Sequence, residues 1–124
     1  MLNDDLLGFI RAAIRSTWSL ELLLLLHKHQ DRTFAADELV RTLRASTTLV
    51  ANCLEQLQAA GLAVDGGSGD WRYAPAAAHL RDLTDKLERA YAERPVAVIN
   101  AIVGSPNDRL KSFADAFRLP KKGD

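Results

Sequence analysis

Between Leu20 and Leu26 the chain reads Leu-Glu-Leu-Leu-Leu-Leu-Leu. A helix that is apolar on nearly every side has to be buried on most of them. The run is also much shorter than the roughly 20 residues a bilayer-spanning helix needs. It therefore predicts a helix over 18–29 at the centre of one small core, whose surplus apolar face is available to a partner subunit. The whole chain has 124 residues, enough for one domain, or one domain with a dimerisation arm. Leucine and alanine supply 39 residues, whereas valine and isoleucine supply ten. Helix formers dominate, so any sheet is small.

Helical spacing and capping residues divide the rest. Asn3 caps a helix over 4–15 with Leu6, Leu7, Ile10, Ala13 and Ile14 on its apolar stripe. Ser16 and Thr17 break or re-cap it. After 18–29, His27 to Arg32 reads as a polar loop, and Thr33-Phe34 as a very short strand. A short helix over 35–43 turns inward through Leu39, Val40 and Leu43, and Arg44-Ala45 makes a turn. Ser46 or Thr47 then caps a longer helix to about Ala60, with Leu49, Val50, Cys53, Leu54 and Leu57 on its stripe and Gly61 ending it. Leu62–Val64 and Trp71–Ala74 read as strands around the turn-rich tip Asp65–Asp70. Leu80, Leu83, Leu87 and Tyr91 mark an amphipathic helix over 77–93. Pro95 restarts a helix over 96–103, and Ser105-Pro106 starts a last one over 107–118 with Leu110, Phe113, Ala114 and Phe117 inward.

The order over 18–75 is helix, tiny strand, helix, helix, strand, glycine-rich tip, strand. The segments Phe34–Val40, Ser46–Leu57 and Ala60–Val64 carry it, including Leu57-Gln58-Ala59-Ala60-Gly61-Leu62-Ala63 leading into the hairpin. This pattern resembles the winged helix-turn-helix domain of small bacterial regulators of the MarR and PadR kind. The resemblance covers about half the chain and implies a mainly α, α+β fold. The chain divides into an N-terminal helix over 1–17, a winged helix-turn-helix domain over 18–75, and a C-terminal helical region over 76–124, whose apolar surface exceeds what one small domain needs and so points to dimerisation. The resemblance further implies a DNA-binding transcription regulator acting as a homodimer on double-stranded DNA, with the helix over 46–60 in the major groove.

With Val50, Cys53, Leu54 and Leu57 inward, Thr48, Asn52 and Glu55 turn outward. Ser46, Thr47 and Thr48 lie where hydroxyls and helix amides bind phosphate. Asn52 matches an adenine edge. Arg41 and Arg44 flank the helix start, and Arg72 lies on the wing; Arg32 and Lys28 are further candidate cations. Each also has a plain structural role, the hydroxyls as caps and the arginines as solvated charges.

Charge argues the other way. Sixteen basic residues balance sixteen acidic ones, and residues 1–75 carry seven basic against nine acidic. Most non-specific DNA affinity comes from phosphate neutralisation. A winged-helix protein–protein interaction module, an adaptor or antagonist without DNA binding, is therefore the alternative. No motif supports an enzyme. Gly66–Gly69 lacks the Lys-Ser/Thr of a phosphate loop, and His27, His29 and His79 lack metal-ligand spacing, so neither a cofactor nor a metal is expected. One cysteine, Cys53, on a core stripe excludes an internal disulfide. With no long apolar stretch and no basic start beside Asn3-Asp4-Asp5, the expectation is a cytoplasmic protein without membrane attachment.

Overall fold

A computed structural model describes residues 2–103. The described chain is mainly helical. Its helices are α1 (Asp4–Ala13), α2 (Thr17–Lys28), α3 (Ala36–Leu43), α4 (Thr47–Ala59), α5 (Ala78–Glu93) and α6 (Pro95–Val103). Three short strands, β1 (Phe34–Ala35), β2 (Ala63–Asp65) and β3 (Asp70–Tyr73), form one antiparallel sheet in the order β1-β3-β2. The helix expected over 107–118, with Leu110, Phe113, Ala114 and Phe117, lies outside the described residues.

The leucine run sits at the centre. Leu20, Leu22, Leu23 and Leu26 are fully buried, and α2 packs against α3, α4 and β3. Ser19 is buried as well, and its hydroxyl donates to Gln56 Oε1 at 3.0 Å, so a polar link fixes α2 on α4. The stripe of α4 is buried through Val50, Cys53, Leu54 and Leu57. Among the described residues no helix is long and apolar enough to cross a membrane.

Local chemistry accounts for the boundaries. The Leu6 N–H donates to Asn3 Oδ1 at 2.8 Å, and the Ser19 N–H to Ser16 Oγ at 3.1 Å, so both predicted caps close their helices. α1 ends at Ala13, before the expected Ile14 and Arg15, because Ile14 turns to extended backbone and lets Ser16 cap α2. The inward face of α1 also differs from expectation: Phe9 is buried, and Leu7 is only partly so. α1 packs against α5 and α6, and that contact turns Phe9 inward. Gly61 has φ +78°, and a Cβ there would sit 3.3 Å from the Ala76 Cβ. This is the left-handed stop that glycine makes without strain.

The hairpin is paired one residue closer to its tip than expected. Asp65 Oδ1 accepts from the N–H groups of Gly67 (2.9 Å) and Gly69 (3.1 Å), and the Gly66 N–H donates to the Asp70 carbonyl (2.8 Å). These bonds tighten the tip and draw Asp65 and Asp70 into the strands. β1 shifts likewise, to Phe34–Ala35, through its pairing of Phe34 with Trp71 and Ala35 with Asp70.

Candidate nucleic-acid interface

The exposed surface of α4 and its approach are built by two helix ends. α3 stops at Arg44, which adopts the left-handed conformation (φ 57°, ψ 42°). Arg44 has the only positive φ among the described non-glycine residues. Two residues later Ser46 opens α4, and the Leu49 N–H donates to Ser46 Oγ at 3.0 Å. The turn between α3 and α4 is therefore three residues, Arg44, Ala45 and Ser46.

This places the predicted residues as follows. Ser46, Thr47, Thr48, Asn52 and Glu55 are all exposed. Thr48 and Asn52 are four apart on α4, so they share one face, with Glu55 one turn further on. Ser46 is committed to the Leu49 amide, which is its capping role. The amides of the first helical turn, Thr47 and Thr48, have no acceptor one turn behind them in the helix, and both residues are exposed. Arg41 is exposed on the last turn of α3, and Arg44 is exposed in the turn itself. Arg72 is exposed on β3, opposite Val64, on the face turned away from buried Ala63 and Tyr73. Arg41, Arg44 and Arg72 form no ion pair with any described residue.

Arg32 does not belong with them. Its guanidinium Nη2 donates to both carboxylate oxygens of Glu38, at 2.7 Å each, and its carbon lies 4.0 Å from the Phe34 ring centre. That hydrogen bond holds the Glu38 carboxyl below the usual carboxylate range. Arg32 thus braces β1 against α3.

The left-handed Arg44 has an energetic meaning. Side chains with a Cβ pay roughly 1–2 kcal/mol for that conformation, which glycine adopts freely. Arg44→Gly is therefore expected to raise stability by about 0.5–1 kcal/mol, allowing for the greater freedom of glycine in the unfolded chain. Urea denaturation measures it.

A second polar cluster escaped the sequence reading. His27 belongs to α2, not to a polar loop, and is only 7% exposed. Its Nε2 lies 2.7 Å from Asp85 Oδ1 and its Nδ1 3.2 Å from Glu88 Oε2, both on α5. The signal was present in the spacing: His27 follows Leu20 by seven residues and Leu23 by four, which is the buried face. Among the described residues no three His, Cys, Asp or Glu side chains are placed to grip one metal ion. A further open groove of about 590 Å³ runs between α1 and α5, over Phe9, Ala13, Leu80 and Leu83 and rimmed by Asp5 and Lys86.

Compared with protein-family models, with curated proteins and with solved structures, the chain matches none.

Proposed function

We propose that this chain is a cytoplasmic, DNA-binding transcriptional regulator that acts as a homodimer through a winged helix-turn-helix. In this reading α4 enters the major groove and the β2–β3 hairpin is the wing. The observation that carries it is the turn between α3 and α4 followed by the hairpin. Three residues join the two helices, the polar face of α4 is exposed, and the return strand β3 lies between β1 and β2. Asn52 reads an adenine edge. The amides and hydroxyls at Thr47 and Thr48 bind a phosphate at the positive helix end. Arg41 and Arg44 neutralise phosphates beside the groove, and Arg72 touches the flanking backbone. An arginine kept in a conformation that favours glycine supports a use for its charge.

Dimerisation is supported by α6. The helix carries no charged residue, and Val96 is 69% and Val103 43% exposed. A two-fold dimer reads two half-sites about one helical turn of DNA apart. Selection of bound duplexes from a random library should recover such a palindrome; a folded protein that enriches no sequence overturns the reading.

The protein-binding alternative draws its support from the zero net charge and from Glu55, exposed beside Asn52. A carboxylate there repels phosphate unless it accepts from a cytosine amine.

A further inference from the structure

His27 stands at the meeting of three elements. It lies in the last turn of α2, its ring meets the Tyr73 ring of β3 edge-on at 5.0 Å, and both its nitrogens face carboxylates of α5. Two other side-chain bridges join α2 and the loop after it to α5. The Tyr91 hydroxyl donates to Glu21 Oε2 at 2.9 Å, and Arg81 Nη1 donates to Gln30 Oε1 at 3.5 Å. His27 is the buried member of this seam, and the one whose bonds depend on a proton.

The dependence follows from counting donors. An ionised carboxylate only accepts hydrogen bonds, and a neutral imidazole has one N–H and one bare nitrogen. Only the imidazolium can donate to Asp85 and to Glu88 at once. Without its proton, one ring nitrogen turns a lone pair toward a carboxylate oxygen. The Nε2–Asp85 contact is the shorter of the two, so the Glu88 arm is the one that gives way. Glu88 can leave without being stranded, because its side chain is already 46% exposed.

We propose that His27 is a proton-operated latch between α2 and α5, holding Asp85 and Glu88 together when protonated and releasing Glu88 when not. The other groups facing the ring fit this. From β3, Tyr73 presents a buried hydroxyl without a hydrogen-bond partner among the described residues, and burial pushes that phenol up, so it stays neutral. From α5, Arg81 lies 6.0 Å from the Tyr73 ring centre. The near charges are therefore two carboxylates and one more distant guanidinium. The latch does not depend on whether the protein binds DNA.

The sign is fixed by the geometry. The second arm exists only with the proton on the ring. Stability from it is present while the ring is protonated and is lost as rising pH removes that proton.

Long-range proton–nitrogen correlation spectra of the folded wild-type protein read the ring directly. At about pH 5.5 both His27 nitrogens should carry protons, and at about pH 8.5 Nδ1 should be bare while Nε2 keeps its proton. Thermal midpoints give the second readout. Between these pH values the wild-type midpoint should fall by about 5 °C relative to an Asp85→Asn/Glu88→Gln variant. That variant substitutes two half-exposed side chains, so it keeps the core intact; His27→Gln gives the same comparison from the other side of the seam. A His27 ring with only one protonated nitrogen at about pH 5.5 overturns the latch. So do midpoint curves that run parallel.

Discussion

A folded Arg44→Gly/Asn52→Ala double variant is expected to bind duplex DNA about 100-fold more weakly than the wild type. A bidentate asparagine–adenine contact is worth roughly 1–3 kcal/mol, and a dimer makes each contact twice. Each lost arginine also returns a phosphate to its counterions, so the loss should be larger at low salt. The substitutions are chosen so that binding and folding move in opposite directions. Arg44 occupies a left-handed position that glycine accepts without strain, and Asn52 is exposed on α4. The variant should therefore unfold at the same or higher urea concentration than the wild type while losing affinity. A folded variant that binds as tightly as wild type removes α4 from the groove. Anisotropy of a labelled duplex, with circular dichroism on the same samples, measures both.

Leu22→Ala is expected to cost about 2–5 kcal/mol of stability, against a total of roughly 5–15 kcal/mol for a domain of this kind. Leu22 is fully buried and faces Leu43, Leu49, Val50 and Cys53, so its loss opens a cavity between α2 and the α3–α4 pair. The turn that presents Arg44 rests on this contact. DNA binding should therefore fall together with the thermal midpoint, in contrast to the Arg44→Gly/Asn52→Ala variant. Leu22→Met, which nearly conserves volume, should cost less than about 1.5 kcal/mol. Thermal denaturation followed at 222 nm separates the two. A loss below about 1 kcal/mol for Leu22→Ala would contradict the central placement of α2.

The helix ends at Asn3, Ser16, Ser46 and Gly61 were legible because their chemistry is local. A hydroxyl or amide side chain reaches an N–H three residues on, and a glycine turns left-handed. The outward face of α4 was legible for a similar reason, since Val50, Cys53, Leu54 and Leu57 fix the helix rotation. What the sequence concealed depended on partners distant in the chain. Phe9 is buried because α5 and α6 cover that side of α1, and no local pattern announces which side will be covered. Asp85 and Glu88 acquire their partner only when α5 lies beside His27, 58 and 61 residues away. Arg32 read as a spare cation until Glu38 closed on it. Arg44 was legible as a turn residue, yet its left-handed conformation was not, because arginine rarely adopts it. The hairpin was legible in kind and missed by one residue, because the carboxylate of Asp65 organises the tip.

Asp65 accepts from two backbone amides, so it has a structural reason to be there whatever the hairpin touches. Its presence therefore weighs less against a wing on DNA than a carboxylate without partners would. Glu55 has no such role among the described residues, and it is the acidic group that most directly opposes phosphate.

The most direct test is fluorescence anisotropy of a generic labelled duplex titrated with folded, dimeric protein at about 50 and about 200 mM salt. Arg41, Arg44 and Arg72 from two subunits would neutralise about six phosphates, so affinity should fall about 1000-fold between the two conditions. Absence of binding at about 50 mM salt, or binding that salt leaves unchanged, contradicts DNA recognition through this face and favours a protein partner.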